Sequence, residues 1–330
     1  MQIACRILKI LSDAKRHSAE ALASRLQVHS STVHESIRFL IDNHLAIDCV
    51  KGRGYRWEAP VELIHKPTIV ENLSPCALQM LNQIDFVAII PSTNDYLTQR
   101  LRYGLPNGVV CIAEGQSKGK GRMGRQWFSP FGANVYCSLY WHFEQAIHLL
   151  DGLPLVSAFA VIKAIEKTLL LPEKFGLKWP NDIYFQHKKL AGILTECFQS
   201  KTQQGTDVII GIGINVHMPF KSPLDFVYTD LQSFTDVKIN RNILIANLMN
   251  ELVEALTLFA KKGFSAFLKE CQRYDILRNK EILVLSNNQI LEYGVGKGIN
   301  ERGELCYQTG AQIKAIRQGE VSIRMNQNVE

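Results

Sequence analysis

The 330-residue sequence has no Cys-x-x-Cys pair; its eight cysteines stand singly at Cys5, Cys49, Cys76, Cys111, Cys137, Cys197, Cys271 and Cys306. Isolated cysteines among apolar neighbours, as in Val-Val-Cys111-Ile, behave as small hydrophobes. A zinc site or a disulfide framework is therefore not expected, and a reducing cytoplasm fits. The chain also lacks any run of eighteen uncharged apolar residues, because the longest apolar stretch, residues 149–165, is interrupted by Asp151, Pro154 and Lys163. The first apolar stretch contains Arg6 and Lys9 and does not have a signal-peptide layout, so neither a membrane partner nor export is expected. Internal repeats and low-complexity tracts are missing too. With 46% hydrophobic and 21% charged residues, a disordered or fibrous chain is excluded. The length suits two or three domains.

A net charge of +6 is too small to identify a partner, but its distribution is informative. Residues 1–60 carry nine Lys/Arg against six Asp/Glu, residues 61–273 carry 21 against 18, and residues 274–330 carry seven of each. These blocks suggest domains at 1–63, 64–273 and 274–330, with a linker over 59–80.

The first block reads as three helices and a hairpin. A helix is predicted over residues 3–12, and Ser18 is placed to cap a second helix carrying Leu22 and Leu26. After a short turn, Val33, Ile37, Leu40 and Ile41 form one apolar stripe of a third helix. Two short strands then flank Lys51-Gly-Arg-Gly54. This is the winged helix-turn-helix arrangement, which places one helix in the DNA major groove. Ser31, Thr32, His34 and Arg38 would face base edges and phosphates, and Arg53 in the wing would reach the backbone. The alternative is a small protein-interaction domain with a solvated polar face, since the charge is modest and Glu35 would repel phosphate. The last block alternates short apolar runs with turn signals such as Asn287-Asn288 and residues 300–303, as a small antiparallel barrel would.

The middle block holds the chemistry. Gln116-Ser-Lys-Gly-Lys-Gly-Arg-Met-Gly-Arg-Gln-Trp127 carries Lys118, Lys120, Arg122 and Arg125 with no acid, beside Gly119, Gly121 and Gly124. Glycines that reach positive φ and expose amides beside cations form an anion cradle; the same composition also suits a solvated loop. Gly119-Lys-Gly-Arg-Met-Gly124 matches GxGxxG, yet the loop runs on into a predicted strand, whereas a dinucleotide site needs a helix there. Walker A fails as well, because Gly115 and Gly119 enclose three residues and no Ser or Thr comes after Lys120. Further on, Lys178-Trp-Pro-Asn-Asp182 breaks a strand with an exposed polar pair. Lys189-Leu-Ala-Gly-Ile-Leu194 forms another strand, and Gly211-Ile-Gly-Ile-Asn215 ends a third with glycines suited to close ligand approach.

Together with Pro91-Ser-Thr-Asn-Asp-Tyr-Leu97, these segments stand in the order and near the spacing of the bacterial biotin–protein ligases. The whole chain resembles the bifunctional type that also represses the biotin operon. The resemblance implies an α+β chain: an N-terminal winged helix-turn-helix, a central α/β ligase domain with a mixed sheet, and a small C-terminal SH3-like β-barrel. It implies that ATP and biotin form biotinyl-5'-AMP, with Mg2+ accompanying ATP, and that biotin then passes to a lysine of the biotin carboxyl carrier protein of acetyl-CoA carboxylase. A homodimer on a palindromic operator, with the adenylate as corepressor, is implied too.

By resemblance, Ser92, Thr93, Asn94 and Gln116 would hold the biotin head, with Gly192 also at the biotin site. Gly119, Lys120, Gly121 and Arg122 would fold over biotin and the phosphates, and Lys189 would contact the carboxylate and then the acyl phosphate. Lys120, Arg122 and Lys189 are the candidate catalytic residues. Arg125, Lys178 and Asn181 would serve the triphosphate and its magnesium, Asn215 would lie on the nucleotide side, and Tyr228 would stack on adenine. Trp127 would wall the nucleotide site, although core packing explains Trp127 and Trp179 equally well. Lys120 stands where the family usually has arginine, and a lysine has no bidentate fork. Tyr228 stands where the repressors have tryptophan. Two other readings stay open: a regulator that only senses a small acid, and a lipoate or octanoate ligase.

Overall fold

Ser18 accepts a hydrogen bond from the Ala21 amide at 3.1 Å and thereby starts α2. That helix (Ala19–Leu26) packs with α1 (Gln2–Leu11) and α3 (Ser30–Asp42), and a hairpin of β1 (Ile47–Val50) and β2 (Gly54–Trp57) completes the unit. This is the expected winged helix-turn-helix. The α3 stripe is narrower than predicted, since Val33, Ile37 and Leu40 are buried while Ile41 is 40% exposed. The computed structural model describes all residues except 1, 43–44, 59–61, 171–174, 202–203, 219–226, 287–288, 320 and 326–330. The Asn287-Asn288 turn and the start of the predicted linker lie outside the described residues.

The rest of the linker stretch is helical rather than extended. It holds α4 (Lys66–Glu71) and α5 (Pro75–Met80), each with proline in its first turn, where the missing N–H is harmless. Ile69, Leu73 and Ala77 join the central core. Next come β3 (Gln83–Ile90), α6 (Thr93–Leu101), β4 (Val109–Gln116), β5 (Val135–Phe143), α7 (Leu153–Leu169), β6 (Phe175–Lys178), β7 (Asp182–Phe185), β8 (Lys188–Gln199) and β9 (Thr206–Ile214). The sheet order is β3-β4-β5-β9-β8-β7-β6, with β3 parallel to β4 and each remaining neighbouring pair antiparallel. The mixed sheet expected of the central domain is therefore present.

Both faces of this sheet are covered, which is why β4 and β9 read as nearly continuous apolar runs. Val110 and Ile112 face α7 and α8 (Arg241–Lys262), whereas Val109 and Cys111 face α6 and Leu97. By length and composition α8 could cross a membrane, but most of it is buried against α7 in the core. After α9 (Leu268–Tyr274), the strands β10 (Glu281–Ser286), β11 (Gln289–Ile299), β12 (Leu305–Thr309), β13 (Gln312–Ile316) and β14 (Val321–Met325) form an antiparallel sheet ordered β13-β12-β11-β10-β14.

The three parts touch. Trp57 at the end of the wing meets Phe131 of the central domain with ring centroids 6.1 Å apart, and Ile89 completes that cluster. Trp179 Nε1 donates to the Gly303 carbonyl at 2.9 Å, tying the β6–β7 turn to the C-terminal sheet.

Candidate active site

A cleft of about 1190 Å³ opens where β4 and β9 end. Its lining joins every segment singled out from the middle of the sequence and adds the last strand. Lys120, Arg122, Arg125, Lys178, Lys189 and Arg324 line it, against one carboxylate among the described residues, Asp182. Such an excess of one sign between low-dielectric walls concentrates anions.

The cations are held in place. Lys189 lies 2.8 Å from Asp182 and 5.4 Å from the centre of the Trp127 ring. Arg122 donates to Asn181 Oδ1 at 3.2 Å and to the Gly319 carbonyl at 2.9 Å, so the glycine-rich loop is fastened to the C-terminal sheet. Lys178 sits against Tyr184, 5.2 Å from the ring centre and 3.3 Å from its hydroxyl. Burial holds the pKa of both Lys178 and Arg122 below its ordinary value, with nearby Asp182 opposing the shift. Both have lost hydration that an incoming phosphate or carboxylate would replace. Lys120 pairs with Asp95 on α6.

Beside the cations lies a floor of uncharged polar groups. Ser92 caps α6 by accepting from the Asp95 amide. The Thr93 amide donates to Gln116 Oε1 at 2.8 Å, and Gln116 Nε2 donates to Ser129 Oγ at 3.0 Å. Ser138 Oγ is 2.7 Å from Thr93 Oγ1 and 2.6 Å from Asn94 Oδ1, while Asn94 Nδ2 donates to Glu196 Oε2 at 2.6 Å.

Several expectations change. Of the loop glycines, Gly124 has positive φ (+71°), as does Met123 (+57°), whereas Gly121 has φ of −115°. The turn over Arg122–Gly124 is three residues of 3-10 helix, so no α-helix starts there, as the failed dinucleotide reading requires. Asn181 is buried rather than exposed, donating through Nδ2 to the Ile193 carbonyl at 2.6 Å. The glycines of β8 and β9 line the cleft and also make room for side chains of this chain. A Cβ on Gly213 would stand 2.4 Å from the Trp127 indole, and one on Gly211 would stand 2.1 Å from Asn94 Oδ1. Gly192 likewise lies under Trp127.

Trp127 thus forms a cleft wall, and its buried Nε1 has no hydrogen-bond partner among the described residues. Trp179 is core. Three candidates are not on the cleft wall. Gly119 packs against Trp127 and Ser129; Asn215 donates to the Thr229 carbonyl at 3.1 Å; Tyr228 runs beside Lys189 in a parallel bridge. Asn215 therefore holds the returning 227–231 segment against β8.

Sequence reasoning passed over Ser138, Glu196, Asp182 and Arg324. Asp182 stood inside a quoted motif, and Ser138 is the lone serine in the apolar run of β5. Nothing local pointed to Arg324, which the C-terminal sheet carries in from 135 residues beyond Lys189.

On the N-terminal domain, Ser31, His34, Arg38 and Arg53 are exposed and Thr32 is half-buried. His34 is not free to read a base independently, because its Nδ1 is hydrogen-bonded to the Tyr55 hydroxyl of the wing. Arg16 braces the wing from behind through Asp48 and the Gly54 carbonyl.

The packing of Trp127 over Gly213 gives a direct check. Gly213→Ala is expected to lower kcat/KM by about 10- to 100-fold through overpacking. Because the half-buried indole swings outward, the melting temperature should fall by only a few degrees. An unchanged kcat/KM would show that Trp127 is no part of the working cleft.

Residues 86–215 match the Biotin/lipoate A/B protein ligase family, and residues 5–56 match an HTH domain. The chain is 34% identical over 322 residues to the bifunctional ligase/repressor BirA of Escherichia coli, covering 97% of this chain and 96% of that one. It is 30% identical over 246 residues to the biotin–[acetyl-CoA-carboxylase] ligase of Mycobacterium tuberculosis, covering 72% of this chain and 88% of that one. The biotin protein ligase of Aquifex aeolicus, solved in complex with biotin and ATP, superimposes with a TM-score of 0.64 at 29% identity, covering 74% of this chain and 100% of that one. Motif order, sheet topology and near-complete coverage agree, and the chain belongs to the Biotin/lipoate A/B protein ligase family, among its bifunctional ligase/repressors.

Proposed function

We propose that this protein is an ATP-dependent biotin–protein ligase that also represses biotin biosynthesis genes. The observation that carries the reading is the cleft with six cations against one carboxylate, adjoining an uncharged polar floor. In the first half-reaction a biotin carboxylate oxygen attacks the α-phosphorus of ATP and the bond to the β-phosphate breaks, releasing pyrophosphate. Two anions must meet, and fixed cations in a partly dry site offset their repulsion and the charge that builds up. In the second, a lysine amine of the biotin carboxyl carrier protein attacks the acyl carbon and AMP leaves.

Lys189, Arg122 and Lys120 supply charge at the reacting carboxylate and phosphate. Arg125, Lys178 and Asn181 serve the triphosphate, while Ser92, Thr93, Asn94 and Gln116 meet the ring head. Among the described residues no three His, Cys, Asp or Glu side chains gather as a metal cage. Mg2+ would arrive with the triphosphate, and Asn181 and Asp182, whose oxygens now face Arg122 and Lys189, would hold it. Bound there, it supplies positive charge to the phosphate oxygens.

The polar floor favours biotin over lipoate or octanoate. An acid without polar atoms in its head would lay apolar surface over the remaining donor and acceptor capacity of Thr93, Asn94 and Gln116 on the cleft wall, which costs the hydration of those groups without a new partner. Exchange of labelled pyrophosphate into ATP, driven separately by biotin, lipoate and octanoate, tests this. Exchange with biotin alone is expected; no exchange with biotin would refute the enzymatic reading and leave a regulator that only senses its ligand.

The winged helix, with Ser31, Thr32, Arg38 and Arg53 exposed or half-buried on its recognition helix and wing tip, is read as the operator-binding part of a cytoplasmic homodimer on a palindromic site. His34 shapes that surface through Tyr55. The chain divides at 1–63, 64–273 and 274–330, and the last sheet closes as an SH3-like barrel. Operator affinity should rise with biotin plus ATP and fall linearly in log–log with salt, and Arg53→Ala should reduce that slope by about one. A slope unaffected by Arg53→Ala would remove the wing from the interface.

A further inference from the structure

Glu196 lies on β8 two residues past the Lys189–Leu194 motif, with its carboxylate turned toward the first turn of α6. Asn94 is enclosed there: it is 3% exposed, and the missing Cβ of Gly211 leaves space for its amide. A carboxylate only accepts hydrogen bonds. The Asn94 amide must therefore present Nδ2 to Glu196 Oε2, 2.6 Å away, and Oδ1 to Ser138. The amide oxygen also only accepts, so it takes the single hydroxyl proton of Ser138 across 2.6 Å. The Ser138 oxygen is then left with lone pairs toward Thr93 Oγ1 at 2.7 Å. Thr93 then has two acceptors for its own proton, Ser138 Oγ and Gln116 Oε1 at 3.2 Å, and with either one it keeps a lone pair for the cleft.

We propose that Glu196 is the positioning residue that sets the direction of this relay, so that Thr93, the hydroxyl of the row that lines the cleft, offers a hydrogen-bond acceptor to an N–H group of a cyclic urea such as the biotin head, while the buried Ser138 passes the direction on. This rests on the biotin reading above. Without Glu196 the Asn94 Nδ2 keeps only the Leu194 carbonyl at 3.4 Å, too long to hold the amide firmly, so it can turn over and offer N–H to Ser138. Ser138 then turns its proton to Thr93 Oγ1 and uses up a lone pair that would otherwise be open to the ligand. Glu196 itself is separated from the cleft by Asn94 and acts through it.

The experiment is steady-state pyrophosphate exchange on full-length protein. Glu196→Ala is expected to raise the KM for biotin by about 10- to 100-fold, the range for losing one or two oriented hydrogen bonds in a recognition site, with the KM for ATP within about two-fold of wild type. Glu196→Gln should restore most of the biotin affinity, since its amide oxygen still accepts from Asn94. If Ser138→Ala has already broken the relay, adding Glu196→Ala should change little; fully additive effects would overturn the proposal. So would a biotin KM left unchanged by Glu196→Ala, or equal rises in both KM values. Should the alanine variant not fold, Glu196→Leu keeps the volume and makes the same prediction. Wild-type protein inactive with biotin would refute the ligase reading instead, so the two failures are distinct.

Discussion

Lys189→Ala is expected to reduce biotin-dependent pyrophosphate exchange by about 100- to 1000-fold, the usual loss when one preorganised charge is removed from a reacting anion. The structure gives two reasons for so large an effect. Lys189 is held from several sides: its backbone pairs with the 227–229 segment, its ammonium lies 2.8 Å from Asp182, and Trp127 is beneath it. It is positioned before substrate arrives, so little reorganisation is needed during reaction. Its removal also leaves Asp182 without that counter-charge, putting a bare carboxylate where two anions must meet. Lys189→Arg keeps the charge but cannot keep the geometry against Trp127, and should fall between wild type and alanine. The fold should survive, because both ends of the pair reach solvent. Exchange kinetics with circular dichroism separate loss of chemistry from loss of fold. If exchange persists within a few-fold, Lys189 has no role at the reacting atoms. If exchange persists but ligand-responsive DNA binding is lost, the residue serves sensing alone.

Arg241→Met should destabilise the protein by about 3–5 kcal/mol and lower the melting temperature by roughly 6–20 °C. Arg241 starts α8 and is buried with Glu114 of β4 at 2.8 Å. It also donates to the Glu62 carbonyl at 2.6 Å and the Asn134 carbonyl at 3.0 Å, and Glu114 accepts from the Ile64 amide. One ion pair thus joins the chain leaving the winged helix, the site strand β4 and the loop before β5. Removing the arginine strands a buried carboxylate, which costs far more than the pair itself is worth. Arg241→Met with Glu114→Leu should recover part of the loss, since no charge is then orphaned, but not all of it. The carbonyls of Glu62 and Asn134 would still lack their donor. Thermal melting of the two single variants and the double checks this. A double variant worse than Arg241→Met would show that the pair is more than an offset of its own desolvation.

These effects bear on what the sequence could disclose. Local pattern was sufficient for the winged helix, because helix stripes and the Ser18 cap are properties of neighbouring residues. It was also sufficient to reject the dinucleotide loop, since Arg122–Gly124 leads into a strand. It failed at residues 59–80, where short helices with proline in the first turn look like a linker until α8 covers their apolar side.

The glycines of β9 show the same limit at the site. From sequence, Gly211 and Gly213 meant space for a ligand; in the fold they line the cleft, and Asn94 and Trp127 take the space that their missing Cβ atoms leave. The sequence by itself determined the family, the order of its motifs and the basic loop that lines the cleft. Only the tertiary structure decided that Asn94 meets Glu196, that Asn215 holds a returning segment, that Arg324 reaches the cleft and that the Gly319 carbonyl accepts from Arg122. Periodicity records which face of an element is buried. Which polar groups meet there depends on contacts between residues one hundred or more positions apart, as with Asn94 and Glu196, and no local pattern carries that information.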